Sequence, residues 1–113
     1  MTAQKIKIRV ARIARIEIAE QSAYYREKAG EELSNRWRTS VNRAIQSLRI
    51  LPERGAPAKA SLPELAGLRM LHLEGFPKHL VFYVYDGNIP QVDILSVVHG
   101  ARDLSALLRD PSE

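Results

Sequence analysis

The sequence of 113 residues contains no cysteine. This absence excludes disulfides, a thiolate nucleophile and any metal site built from cysteine. The three histidines, His72, His79 and His99, remain possible metal ligands, but none of them forms a short i, i+4 pair of the kind that binds metals. We therefore expect no metal centre.

Long apolar runs are also absent. No segment approaches the roughly 18 apolar residues that a membrane-spanning helix requires, and the first residues lack the apolar region of a secretory signal. We therefore expect a cytoplasmic protein without a membrane partner. A chain of this length has room for one domain with one core, so we expect a single domain over residues 1–113.

Motifs for cofactor binding and nucleophilic catalysis are missing as well. The sequence has no glycine-rich phosphate loop in a strand–helix context, no dinucleotide fingerprint and no nucleophile elbow. Ser96 and His99 are close in sequence, but residues three positions apart point to opposite faces of a regular strand. We therefore expect no cofactor and no Ser–His pair.

Positive charge is in excess, and it is unevenly distributed along the chain. The chain has 17 Lys and Arg against 13 Asp and Glu, a net charge of +4. Residues 1–55 contain 12 basic and 6 acidic side chains, whereas residues 56–113 contain 5 and 7. A positive half attracts polyanions or an acidic protein, but it is equally the solvated surface of a helical segment. Charge alone does not decide between these two interpretations.

Hydrophobic periodicity predicts one strand and two helices in the first half. Basic and apolar residues alternate over Lys5–Val10, which is typical of a strand with one buried face. A helix is predicted from about Ala11 to Gly30, and a second helix follows and ends before Pro52. Its apolar stripe contains Leu33, Trp37, Val41, Ala44, Ile45, Leu48 and Leu51. We expect the two helices to form an antiparallel hairpin, with Trp37 in the core.

Three strands are predicted in the second half, at residues 68–73, 78–85 and 91–99. Asp86-Gly87 is the turn signal between the last two strands. A long connection over residues 52–67, with a short turn at Leu62–Leu65, joins the helices to the sheet, and a short helix or tail follows Arg102. The predicted fold class is α+β: an N-terminal strand, a helix hairpin, and three antiparallel strands forming one sheet packed on the helices.

Both faces of these strands are apolar. Regular alternation places Val92, Ile94 and Val98 on one face of the last strand, and Leu95 and Val97 on the other. One pair of helices covers only one face of a sheet. The second face therefore requires the tail, another copy of the chain or a separate protein.

Basic side chains on the sheet are the remaining candidates for a functional site: Arg69, Lys78, His79, His99 and Arg102. Converging positive groups could hold RNA phosphate, with a histidine or tyrosine transferring the proton. They could instead contact acidic residues of a partner protein or complete strand ends, and Arg102 could pair with Asp103. Spacing alone leaves these alternatives open.

Four short motifs then occur in a specific order. They are Leu-x-x-x-Pro-Glu-x-Gly at residues 48–55, Gly-Leu-Arg at 67–69, Gly-Phe-Pro at 75–77 and Val-x-His-Gly-x-Arg at 97–102. In this order, and over nearly the whole chain, the sequence closely resembles toxins of the ParE/RelE superfamily from bacterial type II toxin–antitoxin systems. The resemblance implies the same α+β fold and an antitoxin that wraps the toxin, in a heterotetramer or larger assembly.

The superfamily divides by target, and the resemblance favours the ParE-like branch, which poisons DNA gyrase without nuclease chemistry. RelE-like members cut mRNA on the ribosome, often with a tyrosine near the C-terminus, but no aromatic residue follows Tyr85 here. A nuclease would therefore use Arg69, His99 and Arg102 as catalytic residues. A non-toxic module that binds a ParD-like antitoxin for autoregulation is a third possibility. The residues expected to contact a partner or target are Arg69, Lys78, His79, Tyr83, His99 and Arg102.

Overall fold

The computed structural model of the chain describes residues 6–58 and 65–100. Its elements, in chain order, are β1 (Lys7–Val10), α1 (Arg12–Ala29), α2 (Glu31–Ser47), β2 (Ala56–Pro57), β3 (Leu68–Leu73), β4 (Phe76–Val84) and β5 (Gln91–His99). The strands form one sheet in the order β1-β5-β4-β3-β2. β1 is parallel to β5, whereas the other three pairings are antiparallel. The predicted α+β fold is confirmed.

The two helices form the predicted hairpin, and small side chains let them approach closely. Gly30, at φ 101°, separates α1 from α2 and donates its N–H to the carbonyl of Arg26. The hydroxyl of Ser34 donates to the carbonyl of Ser22, and the two serine hydroxyls lie 2.8 Å apart. Both serines are buried, so their hydroxyls find partners in each other and in the backbone.

The main core lies between the helices and one face of the sheet. The apolar stripe of α2 supplies Trp37, Val41, Ala44 and Ile45, as predicted, and the indole of Trp37 is fully buried. Leu48, directly after the helix, is also buried in this core as predicted, so the stripe ends at Leu48 instead of Leu51. The helix stops at Ser47, and Leu51 is 60% exposed, because the chain leaves the helix in a turn at residues 48–50.

A β-bulge in β5 shifts which side chains face this core. Tyr83 of β4 pairs with Ile94, but the preceding Phe82 pairs with Ser96, so one residue of β5 is inserted. Val97, instead of Val98, therefore joins Val92 and Ile94 in the core, and the predicted position of Val98 was wrong.

The bulge is held by a carboxylate from α1. Oε1 of Glu17 accepts the hydroxyl of Ser96 at 2.7 Å and the backbone N–H of Val97 at 3.1 Å. A bulge interrupts the regular ladder of the sheet, so its N–H groups need other acceptors. Glu17 supplies one, and the hydroxyl of Ser96 is thereby directed to α1 rather than to a histidine.

The opposite face of the sheet has its own apolar cluster, which we call the far-face cluster. It consists of Leu68, Leu80, Phe82 and Val98, each at most 9% exposed. Met70, Val84 and Leu95 are partly buried against it, and it contains no residue of α1 or α2. The predicted division into two apolar faces, with the helices on one of them, is therefore correct.

Several boundaries differ from the prediction. The two-residue strand β2 was not predicted, β4 begins at Phe76 instead of Lys78, and β1 begins at Lys7. The hairpin between β4 and β5 contains Gly87 at φ 84°, as the turn signal indicated. The predicted turn at Leu62–Leu65 falls largely outside the described residues, and the C-terminal helix or tail after Arg102 lies wholly outside them. No helix in the described part is long and apolar enough to cross a bilayer.

Candidate functional site

Tyr83 holds the turn that follows α2. Its ring is fully buried in the main core, and its hydroxyl reaches the turn between Pro52 and Gly55. The hydroxyl accepts the N–H of Gly55 at 2.9 Å and donates to the carbonyl of Pro52 at 2.9 Å. Burial is the largest influence on this phenol and raises its pKa above 10.0. Tyr83 therefore stays a neutral donor and acceptor that joins the turn to the sheet.

Arg69 binds the same turn from the neighbouring strand. It is the register partner of Tyr83, and its Nη1 donates to the carbonyls of Glu53 at 2.9 Å and Gly55 at 2.7 Å. A guanidinium that bridges two backbone carbonyls fixes a turn in one conformation. Gly55 has no room for a side chain, because a Cβ atom would lie 2.6 Å from the Tyr83 hydroxyl.

His79 lies at the other end of β4, within a cluster of aromatic rings. Its ring is 3% exposed, and the ring centroids of Trp37 and His99 lie 5.4 Å and 5.0 Å away. Tyr25 and Phe76 complete the cluster. The Tyr25 hydroxyl and Nε2 of His79 share a hydrogen bond of 2.7 Å, whose donor is set by the imidazole tautomer.

Two polar atoms of this cluster are buried without a partner among the described residues: Nδ1 of His79 and Nε1 of Trp37. Burial, and then the neighbouring His99, lower the pKa of His79 below 6.5. Burial raises the pKa of Tyr25 above 10.0. The cluster therefore favours a neutral imidazole beside a neutral phenol, which is the protonation state of a structural core.

The structure does not bring all of the predicted site residues together. His79 and Tyr83 are four residues apart on β4, so the histidine pair lies roughly 13 Å along the sheet from the Arg69–Tyr83 pair. Lys78 is exposed at the start of β4, and His99 is half-buried at the end of β5. Arg102 lies outside the described residues.

No group of three metal-ligating side chains occurs in the part of the chain that the structure describes. The predicted residues instead divide into a turn clamp, formed by Arg69 and Tyr83, and a ring cluster around His79. Both contribute to the helix-facing side of the sheet, where they stabilise the fold.

Comparison with known protein families identifies the chain. The sequence model of the ParE toxin of the type II toxin–antitoxin system, parDE, matches residues 8–104. This range spans every helix and strand of the fold apart from Lys7. The chain belongs to the ParE toxin family.

A solved structure agrees with this membership. The chromosomal ParDE toxin–antitoxin system from P. aeruginosa contains a chain that superposes with a TM-score of 0.67, over 86% of this chain and 98% of that one. The two sequences are 18% identical, so this likeness concerns the fold. No curated protein sequence matches.

The structure gives physical reasons for two motifs of this ParE chain. Gly55 closes the Pro-Glu-x-Gly motif where a Cβ atom would meet the Tyr83 hydroxyl, and Arg69 of the Gly-Leu-Arg motif binds the carbonyl of Gly55. Sequence analysis missed Tyr25 and Glu17 as positioning groups. Nothing in their local spacing marks them, since their partners lie 54 and 79 residues away.

Proposed function

We propose that this ParE-family toxin acts in the cytoplasm by binding DNA gyrase and stalling it, without bond-cleaving chemistry of its own. A ParD-like antitoxin neutralises it by wrapping the toxin in a heterotetramer or larger assembly. Membership of the ParE family over residues 8–104 supports the binding mechanism.

The turn clamp is the observation that carries this proposal. An RNA-cleaving site needs a mobile or exposed cation near the phosphate and a proton-transfer group beside it. Here Arg69 is occupied by two backbone carbonyls, and the hydroxyl of Tyr83 is occupied by Pro52 and Gly55. In the described part of the chain, the guanidinium and the hydroxyl are thus hydrogen-bonded to the backbone, whereas a nuclease would need both groups free to contact RNA.

The buried histidine supports the same conclusion. A general base for RNA cleavage titrates near neutral pH and reaches its substrate. His79 has its pKa lowered by burial, and its Nε2 is already hydrogen-bonded to Tyr25. Of the other described histidines, His99 is half-buried at the end of β5, roughly 13 Å along the sheet from Arg69, and His72 is exposed on β3, three positions from Arg69 and therefore on the opposite face of the strand.

Supercoiling by purified gyrase tests the proposal. We expect the purified toxin to inhibit supercoiling of relaxed plasmid and to cause growth arrest when its expression is induced in bacteria. Preincubation with the antitoxin encoded beside the toxin should restore supercoiling.

A reconstituted ribosome reaction with labelled mRNA is the matched control. Intact gyrase activity together with mRNA cleavage would assign the chain to the RelE-like mechanism. Normal growth at high expression, with neither effect, would identify a non-toxic module that only binds antitoxin.

A further inference from the structure

The far-face cluster is buried although neither helix lies over it. In a single chain, Leu68 and Phe82 are each 2% exposed, and Val98 is 5% exposed. Both α1 and α2 pack on the opposite face of the sheet, and neither contributes a residue to the cluster. Apolar side chains in the middle of an open sheet face contact water on the side away from the sheet. Exposures this low therefore require a cover that belongs to the same chain and lies outside the described helices and strands.

The described part of the chain ends beside this cluster. Gly100 follows β5, and its N–H donates to the carbonyl of Lys78 at the start of β4. A Cβ atom at Gly100 would lie 3.9 Å from Cδ1 of Leu80. Leu80 is in turn the register partner of Val98 across the two strands. Residues 101–113 therefore continue from a point that contacts the cluster.

The sequence of residues 101–113 has the apolar pattern that such a cover needs. Leu104, Leu107 and Leu108 have the i, i+3, i+4 spacing of one helical face, with polar or small residues between and around them. A helix over eight residues is about 12 Å long. The cluster extends about 13 Å along the sheet, from the row of Leu80 to the row of Leu68, four residues further. The spacing and the length therefore both fit the buried face.

We propose that residues 101–113 cover the far-face cluster, with their three leucines packed on Leu80, Phe82 and Val98. This inference is independent of the proposed function, because it concerns contacts within one chain and needs neither gyrase nor antitoxin. The segment thereby closes the second apolar face of the sheet, which one pair of helices leaves open. Its release would expose an apolar patch at the centre of the sheet, and such patches drive association with other proteins.

The connection over residues 59–64 is the other candidate for the cover, and its position and composition fit less well. It follows Ala58, whose N–H donates to the carbonyl of Leu68 and which packs at that end of the cluster. Leu80 lies at the opposite end, about 13 Å away. The connection also contains a single large apolar residue, Leu62, whereas the C-terminal segment contains three. One leucine cannot cover a face of this length.

A thiol placed in the cluster tests the inference on the full chain. Because the sequence has no cysteine, Val98→Cys introduces a single thiol, and the rate at which a maleimide labels it measures how often the face is uncovered. We expect slow labelling in this chain. Adding Leu104→Glu with Leu107→Glu should speed labelling at least about tenfold, because two leucines lose their burial and two charges oppose the closed state.

The matched control is Ser105→Glu with Ala106→Glu, which makes the same change in net charge in the same segment but off the leucine face. We expect it to label within about twofold of the Val98→Cys chain, since these positions point away from the sheet. A second reporter, Val97→Cys, places the thiol in the main core on the other side of the sheet. Its labelling should stay slow in both backgrounds if the cover opens without general unfolding.

Four results would overturn the inference. Equal acceleration by the leucine and control substitutions would show that the leucine face makes no specific contact. Equal acceleration at the Val98 and Val97 reporters would show general unfolding. Acceleration by Leu62→Glu, with none by the leucine substitutions in the C-terminal segment, would assign the cover to the connection over residues 59–64. Faster labelling of Val98→Cys on dilution of the protein would assign the cover to a second copy of the chain.

Discussion

At the scale of single residues, Tyr83 carries two roles that are usually assigned to separate groups. Its ring fills the core, and its hydroxyl satisfies the buried N–H of Gly55 while donating to Pro52. A buried donor that loses its acceptor costs about 1–3 kcal/mol, since it cannot recover a bond to water. The turn after α2 therefore depends on this oxygen atom as well as on the guanidinium of Arg69.

The substitution Tyr83→Phe should lower the free energy of unfolding by about 1–3 kcal/mol, because it keeps the ring and removes both hydrogen bonds. Urea denaturation measures the change. Tyr24→Phe is the matched control: Tyr24 is 55% exposed, so its loss of a hydroxyl should change stability by less than about 0.5 kcal/mol. Equal stability of the wild type and Tyr83→Phe would show that the turn does not need this hydroxyl.

His79 is expected to make folding sensitive to mild acid. Burial and His99 lower its folded-state pKa below 6.5, so the unfolded chain binds the proton more readily than the folded chain does. The stability that the neutral imidazole contributes is present above about pH 6.5, and it is lost as the pH falls through the window between the two pKa values.

The substitution His79→Phe should therefore reduce the fall in unfolding free energy between about pH 7.5 and about pH 5, because the variant has no imidazole to protonate. Denaturation curves at both pH values give the slope for each protein, so a uniform change in stability does not affect the comparison. An unchanged slope in His79→Phe would place the acid sensitivity on other groups.

At the scale of elements, two glycines with similar φ angles distinguish the cost of a left-handed backbone from the cost of a steric clash. Gly67, before β3, has φ 84°, and Gly75, between β3 and β4, has φ 81°. A Cβ atom on Gly75 would meet nothing within 4 Å, whereas one on Gly67 would lie 2.6 Å from the carbonyl oxygen of Tyr85. The positive φ disfavours a side chain at both positions, but only at Gly67 would the side chain also clash with the backbone of another segment.

Gly75→Ala should cost about 1–2 kcal/mol, the usual cost of a left-handed conformation for alanine. Gly67→Ala should cost at least about 1 kcal/mol more, because the backbone at Tyr85, directly after β4, must shift as well. Thermal denaturation of the two variants measures the difference. Equal losses would mean that the start of β3 moves freely away from Tyr85.

The elements also show where sequence reasoning succeeds and where it stops. The α2 stripe and the alternation in β4 are local patterns, so the helix hairpin and the order of these elements along the chain could be predicted. The bulge in β5 could not be predicted, because the sequence through Leu95 and Ser96 also fits an unbroken strand with regular alternation. β2 is two residues long and includes Pro57, too short for any periodic signal.

At the scale of the whole molecule, the site residues were chosen by chemistry, but long-range contacts decide their roles. Arg69 and Tyr83 are polar groups on a sheet, which suggests a binding surface. Their partners at residues 52–55 lie 14 to 31 residues away, and no local spacing marks that distance. The basic half of the sequence leaves two interpretations open, a solvated helical surface or the attraction of an acidic partner, and the exposed arginines of α2 are consistent with both.

If the toxin acts by binding, its toxicity depends on a whole interface and not on one catalytic group. A substitution of His99 distinguishes these two cases. Binding energy is spread over an interface, so the loss of one half-buried ring outside a hot spot has a small effect, whereas loss of a proton-transfer group slows cleavage about 10²–10⁴-fold. We therefore expect His99→Ala to arrest growth nearly as well as the wild type at matched expression. Its melting temperature must be measured in parallel, because the ring packs against His79. Loss of growth arrest by a fully folded His99→Ala, together with mRNA cleavage by the wild type, would assign His99 a catalytic role and replace gyrase binding with RNA cleavage.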